Sequence, residues 1–368
     1  MPMKNAAATA YIRELCSLGL SGELLIPALL EALHRVIPSA RNLFDWVNAE
    51  GSIQRYYFEG PIDHAVARLY FDEFYNRREA EAMPKYAEVI RGSTSIRSAD
   101  ELNHPHFFES ALYHEIWQPQ RLHYRLEAIV RAADGRPLGS LVLYREKGDR
   151  IFDRDDEQKL ATLLPYVARG LSGGESRPVD YAASDRRAAQ VNLDAGGRIV
   201  HLSRNAHKVL LLAHGDISPA SSANAPASQD FPTLALLHRQ VCRSDDTQSA
   251  PCALTLTNAW GRFDFRAERL EAIDDAQPCL VGVTIRHLVP RDVRDLEAIE
   301  ALPLSIVQKK VCALLLQGLS QPDVAERLGV SRSTVTDHVR KIYDKLDVHS
   351  ADELRIRCAG RGRETGDG

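Results

Sequence analysis

Arg332, Ser333, Thr334, Thr336, Asp337, His338, Arg340, Lys341 and Lys345 crowd into one short stretch, SRSTVTDHVRKIYDKL (331–346). Guanidinium and ammonium groups neutralise phosphates, while hydroxyl, carboxylate and guanidinium groups can hydrogen-bond to base edges. Between them Val335, Val339, Ile342 and Leu346 recur at spacings of four, three and four, which lines them along one stripe of a helix. The polar residues then face away from the core that this stripe meets. Arg332, Lys341 and Lys345 suit phosphate contact, and Thr336, Asp337 and Arg340 suit base edges. A carboxylate among phosphates is repelled, so Asp337 would accept from a cytosine amine or restrain Arg340 or Lys341 through a side-chain pair.

The flanking sequence supplies the elements that must hold such a helix. Ser305 to Leu316 reads as a helix with Val307, Val311, Leu314 and Leu315 on one side and Gly318 just past its end. Ser320-Gln-Pro-Asp323 is a capping box with proline in the first turn, opening a helix that turns Val324, Ala325 and Leu328 inward and stops at Gly329. Ser331 then caps the polar helix, and Ser350-Ala-Asp-Glu353 opens a fourth carrying Leu354, Ile356 and Cys358. A short helix, a glycine turn and a longer helix make a helix-turn-helix, whose second helix fits the DNA major groove. Gly318-Leu319-Ser320, Val324-Ala325-x-x-Leu328-Gly329-Val330-Ser331, Thr334-Val335, His338 and Lys345-Leu346-x-Val348 resemble the DNA-binding domain of LuxR/NarL-type transcription regulators. Gln308 stands where that family usually has an acidic residue, Thr336 where it has a basic one and Asp347 where it has glycine. The resemblance implies an all-α four-helix domain over 302–360 that binds two half-sites as a dimer, with the fourth helix helping dimerisation.

Upstream, most aromatic side chains lie between Phe44 and Tyr124. An aromatic pocket with a few polar handles is how small molecules are held. Trp46, Tyr57, Phe71, Tyr75, Tyr113 and Trp117 are the candidates to line it, with Arg121, His123 or Arg125 to meet an anionic group. The plainer reading is an aromatic-rich core and dimer surface. His104-Pro-His106 with His114 is a weak metal pattern that no cysteine or carboxylate set completes, so no metal or other cofactor is expected. Helices, two strand-like pieces, a hairpin across Asp134-Gly135 and a closing helix of the form Phe152-x-x-x-Asp156 resemble a GAF-type domain over 1–172. Residues 173–185 read as a linker. Over 186–290 an early hairpin, helices from Asn205-Ala206 and Thr233, a low-complexity loop at 216–230 and three late strands resemble a PAS domain. Residues 291–301 read as a second linker and 361–368 as a disordered tail. The fold class is thus two α+β sensory domains, each an antiparallel sheet with helices, ahead of the helix-turn-helix.

Length and composition agree: 368 residues, 44% hydrophobic and 26% charged, with a net charge of −4, are those of a multidomain globular protein whose basic patch is local. Six cysteines without a CxxC pair read as buried reduced thiols in a cytoplasmic protein. The N-terminus lacks a signal-peptide pattern and no apolar run reaches the length of a membrane span. No GxSxG, HExxH, dinucleotide fingerprint or P-loop occurs, and nothing matches a phosphorylated receiver. An enzyme is not expected. The reading is a one-component regulator that senses a small-molecule effector and binds double-stranded DNA as a homodimer, with RNA polymerase among its partners. The alternative is a protein-interaction partner of another regulator whose helix-turn-helix no longer binds DNA; Thr336, Asp337 and Asp344 favour it.

Overall fold

The computed structural model describes residues 2–174, 178–182, 188–228, 230–243, 252–271 and 280–360. Part of the expected linker at 173–185 and all of the expected tail, 361–368, lie outside the described residues, as does Cys279. Among the described residues no helix is long and apolar enough to cross a membrane.

Helices α1 (Pro2–Cys16) and α2 (Gly22–Leu33) open the first domain, followed by β1 (Arg41–Val47) and β2 (Ile53–Phe58). A covering segment carries four short helices, α3 (His64–Leu69), α4 (Tyr86–Arg91), α5 (Ala99–Leu102) and α6 (Pro105–Glu109), and the two-residue strand β3 (Ile96–Arg97). The helix that opens after Asp63 stops at Leu69. Asp63 caps α3 by accepting from Ala65 and Val66 N–H, and the backbone then widens into a π-turn over Tyr70–Phe74. The hairpin β4 (Tyr124–Arg131) and β5 (Pro137–Arg145) and the helix α7 (Arg154–Ser172) complete the domain. The strand order is β2-β1-β5-β4-β3, antiparallel throughout.

Side chains alternate across a sheet, and here the alternation separates two environments. Phe44, Leu126, Ala128, Leu141 and Leu143 pack with α1, α2 and α7 in an apolar core. Leu43, Asp45, Tyr56, Arg125, Glu127, Ser140, Val142 and Tyr144 face the other way, under the covering segment. The closing helix is fixed by charge. Asp153 and Asp156 form a reciprocal capping box, and buried Asp156 accepts from Arg145 Nη1 at 3.1 Å and Arg150 Nη2 at 3.0 Å. Arg145 is itself buried, over the Phe152 ring.

The second domain continues with β6 (Tyr181–Ala182), β7 (Ala188–Leu193), β8 (Ile199–Leu202), α8 (Ala206–Ala213), α9 (Pro219–Ser222), α10 (Pro232–Arg243), β9 (Cys252–Asn258), β10 (Gly261–Leu270) and β11 (Leu280–Pro290). Its sheet runs β8-β7-β11-β10-β9, with β6 also on β11. Phe263, Phe265 and Ala267 alternate inward from β10 toward α8 and α10. The stretch 216–230, expected as a loop, contains α9 with its own capping box, and Ile217 and Ser222 are buried.

Residues 291–301, expected as a linker, form helix α11 (Arg291–Glu300). The reason is an apolar residue every third position: Val293 and Leu296 join the first domain's core and Ile299 joins that of the C-terminal domain. The last four helices are α12 (Ile306–Leu316), α13 (Gln321–Leu328), α14 (Arg332–Leu346) and α15 (Ala351–Gly360). Ser305, Ser320 and Ser331 cap the first three, and Gly329 ends α13 at φ +65°. Val311, Val324, Ala325, Val335 and Leu354 are buried. Val307, expected on one side with Val311, Leu314 and Leu315, is exposed, as is Ile356, and Leu314 and Leu328 are only half-buried. Of the cysteines, Cys16, Cys312 and Cys358 are buried, whereas Cys252 is half-buried and Cys242 exposed. Replacing Asp156 leaves Arg145 charged and unpaired in the interior. Asp156→Ala is therefore expected to cost about 3–5 kcal/mol in a chemical denaturation curve, and an unchanged midpoint would contradict this account of α7.

Candidate functional site

Two sites emerge, a cavity in the first domain and the outer face of α14. The cavity is a half-open space between the sheet and the covering segment, about 1010 Å³ with the adjoining solvent included. Its floor follows from strand register. Asp45 lies opposite both Tyr56 and Ser140, Glu127 opposite Val142, and Arg125 opposite Tyr144. The covering segment adds Ile62, Val66, Tyr70, Phe71, Met83 and Trp117.

The polar groups of the floor are buried. Arg97 donates to Glu127 at 3.1 Å and pairs with Glu101 at 3.1 Å. Ser140 Oγ donates to Asp45 Oδ2 at 3.3 Å. Burial, and then the nearby charge of Glu127, push the Asp45 carboxyl up to about 8, so it is largely protonated at neutral pH. Burial also draws the Arg125 guanidinium below its usual range. That guanidinium donates Nη2 to Met83 Sδ at 3.0 Å and lies 4.5 Å from the Phe107 ring centre and 5.5 Å from that of Trp117.

Of the nine expected ligand residues, Phe71, Trp117 and Arg125 line this cavity. Trp46 and Tyr57 sit one strand position away from Asp45 and Tyr56, so alternation turns them out of it. They meet Trp260 of the second domain at ring-centre distances of 5.6 and 6.1 Å. Tyr75 accepts from Ile53 N–H at 2.7 Å, a tie between the covering segment and β2. Tyr113 Oη and His123 Nδ1 bond each other at 2.6 Å outside the lining. Arg121, left-handed and exposed, pairs with Glu146. Sequence reasoning passed over Asp45, Arg97, Glu127 and Ser140. Charged residues at every second position of a strand ordinarily mark a solvent face, and only the cover makes them a pocket floor. His104, His106 and His114 are occupied locally, by Phe107 N–H, the Glu81 carbonyl and Gln118. Among the described residues the one group of three metal-type side chains is Asp153, Asp155 and Asp156 at the start of α7, and Asp156 is already engaged by arginines.

On α14, Arg332, Ser333, Thr334, Thr336, Arg340 and Lys341 are exposed. Asp337 accepts from Arg340 Nη2 and Lys341 Nζ, each at 2.8 Å, and these bonds, Lys341 first, hold its carboxyl below the usual range. Asp337 thus restrains both cations. Thr336 Oγ1 donates toward Gln321 Oε1 at 3.1 Å, on the preceding helix. His338 is half-buried, and its Nδ1 is enclosed without a hydrogen-bond partner. Lys345, expected on a phosphate, donates instead to Gln308 Oε1 at 3.0 Å. The same oxygen accepts from Ser305 N–H at 3.0 Å. A neutral amide therefore holds the lysine. Asp347, in the place where the resemblance expects glycine, is left-handed at φ +53°.

The raised Asp45 carboxyl sets a pH dependence. Its folded pKa lies above the unfolded value of about 3.9, so the folded state holds this proton more tightly, and stability falls as pH rises from there through about 8. Asp45→Asn should remove this slope and leave the variant more stable than the parent by a few kcal/mol at alkaline pH. Parallel denaturation curves at pH 5 and pH 9 check it, and identical pH slopes would refute the burial argument.

The comparisons with known proteins bear chiefly on the C-terminal domain. Residues 302–357 match the GerE family, described as bacterial regulatory proteins of the luxR family. No curated protein matches the chain. Similar solved structures include the Vibrio cholerae VqmA dimer, described as a LuxR-type receptor, at 16% identity over 49% of this chain and 85% of that one, TM-score 0.20. A V. cholerae VqmA complex with ligand and DNA overlaps at 16% identity, over 48% and 84%, TM-score 0.22. The E. coli DhaR(N)–DhaL complex overlaps at 14% identity, over 76% and 89%, TM-score 0.25. Scores this low leave the two front domains to stand on their own elements. The four helices, their serine caps, the left-handed Gly329 and the family match agree: residues 302–357 are a LuxR-family helix-turn-helix domain.

Proposed function

We propose that this chain is a one-component transcription regulator in which a small molecule bound in the first domain alters how a pair of C-terminal domains engages operator DNA. The single observation that carries the reading is the coexistence in one chain of a buried, partly polar cavity and an uncovered helix-turn-helix face. Arg340 would read a base edge and Arg332 and Lys341 would grip phosphates, with Asp337 fixing the direction of the first and the last. One such domain buries only about 600–1,000 Å² on DNA, so a homodimer on two half-sites supplies the affinity. The front domains resemble GAF and PAS sensory modules in element order, and the cytoplasm is the compartment that contains such a regulator's operator and RNA polymerase.

Contacts between the domains support coupling. Tyr56 and Phe58 line the cavity, while their main chains bond the second domain: Tyr56 N–H to the Ile217 carbonyl at 3.3 Å, and Lys208 Nζ to the Phe58 carbonyl at 3.1 Å. From β11 the chain enters α11, which shares its apolar stripe with both the first and the C-terminal cores. Lys310 also reaches Glu14 of α1 at 3.2 Å. A ligand that moves β2 thus acts on an element linked to the DNA-binding domain, and it shifts the equilibrium only by its differential affinity for the two states.

Footprinting tests this. Arg340→Ala is expected to relax specificity at one base position, by about 1–3 kcal/mol of discrimination. Lys341→Ala should weaken binding evenly across sequences and flatten the salt slope by about one unit. Wild-type footprints from both variants would remove the DNA assignment of α14, and a stable heteromeric complex without DNA binding would select the protein-interaction alternative.

A further inference from the structure

Arg125 is the anomaly of the cavity. It is only 3% exposed, yet among the described residues no carboxylate forms an ion pair with it. Its Nε is enclosed without a hydrogen-bond partner, and its one side-chain hydrogen bond goes to the Met83 sulfur. Of the acidic groups around it, Glu127 is held by Arg97 and Asp45 accepts from Ser140. Glu79 Oε1 accepts from the N–H groups of Asn76 and Tyr86, its enclosed Oε2 has no hydrogen-bond partner among the described residues, and Glu79 acts on Arg125 only as a through-space charge. A buried cation without a bonded anion is costly, and removing such a charge ordinarily stabilises a protein. Against this cost stands the position of the group, on the cavity wall, between aromatic rings and next to open space.

Resting on the sensory reading of this cavity, we infer that its ligand is a small aromatic monocarboxylate whose carboxylate pairs with Arg125. A planar guanidinium matches a carboxylate fork to fork. One arginine balances one negative charge; a phosphate dianion would find no second free cation on this wall, because Arg97 is paired twice. Apart from floor groups such as Asp45, Arg97, Glu127 and Ser140, the lining is mainly apolar and aromatic, with Tyr70, Phe71, Trp117, Leu122 and Val142 around the space that the body of the ligand would fill. Aromatic rings pack edge to face against such walls.

The test uses the full chain and three probe pairs: benzoate, phenylacetate and 3-phenylpropionate, each beside its primary amide. Binding is read by calorimetry and by the shift in melting temperature at millimolar probe. At least one acid is expected to bind saturably and its amide at least about tenfold more weakly. Arg125→Gln should lose that preference, while its melting temperature without probe stays equal to or above the parent's, an outcome that loss of a structural arginine would not give. Arg125→Met, apolar and of similar length, repeats the measurement should the glutamine variant fold poorly. Amides that bind as tightly as their acids, or acid binding unchanged in the Arg125 variants, would overturn the inference and leave the cavity a ligand site. Failure of every acid and every amide to bind would overturn both the inference and the sensory reading of the cavity.

Discussion

Strand alternation in β1, β4 and β5 is the constraint on which the first domain depends. One parity is mainly apolar and meets three helices, with Asn42 and Arg145 as its buried polar members toward the strand ends; the other carries Asp45, Arg125, Glu127 and Ser140 beneath a covering segment. Shifting any of these strands by one residue would drive charges into the apolar core and leave the cavity floor greasy. The buried charges therefore specify register as well as chemistry. Gly139 shows how tightly β1 and β5 are drawn together, since a Cβ there would lie 2.0 Å from the Asp45 carbonyl oxygen. The close approach seats Asp45 beside Ser140, and the same approach sets the floor on which Arg125 stands.

The domains are joined by shared cores as well as by covalent continuity. The aromatic seam of Trp46, Tyr57 and Trp260 merges the front two domains into one hydrophobic cluster, with Lys208 over the Tyr57 ring at 4.9 Å. Helix α11 then belongs to two cores at once. A rotation of α11 displaces Val293 and Leu296 in one and Ile299 in the other, because close-packed interiors do not deform continuously.

The C-terminal domain was the most legible part of the sequence because its information is local. Ser305, Ser320, Ser331, Gly329 and the spacing of Val335, Val339, Ile342 and Leu346 each dictate backbone within a few residues. The pairing of Asp337 with Arg340 and Lys341 was open to the same reasoning, being a matter of helical spacing. The cavity was not legible. Aromatic density located the right stretch of chain, but which of two adjacent residues faces inward depends on register, and on a segment that covers the sheet from far along the sequence. Trp46 and Tyr57 were the wrong neighbours of Asp45 and Tyr56 for that reason. Helix α11 escaped notice because its stripe serves two separate cores and looks sparse from either one.

The seam at β2 also limits how evolution or an engineer can recombine this protein. Strand β2 ends the first sheet, and its outer edge is covered by the second domain through the Ile217 carbonyl and the Lys208 ammonium. Cut at 172 and grafted to a foreign output, the first domain would carry an uncapped strand edge beside a naked pair of aromatic rings, a template for aggregation. The exchangeable cassette is the two front domains together with Arg291–Glu300. A junction placed after that helix retains the cavity and the helix that packs in both cores, and one placed before it removes Val293 and Leu296 from the first domain's core.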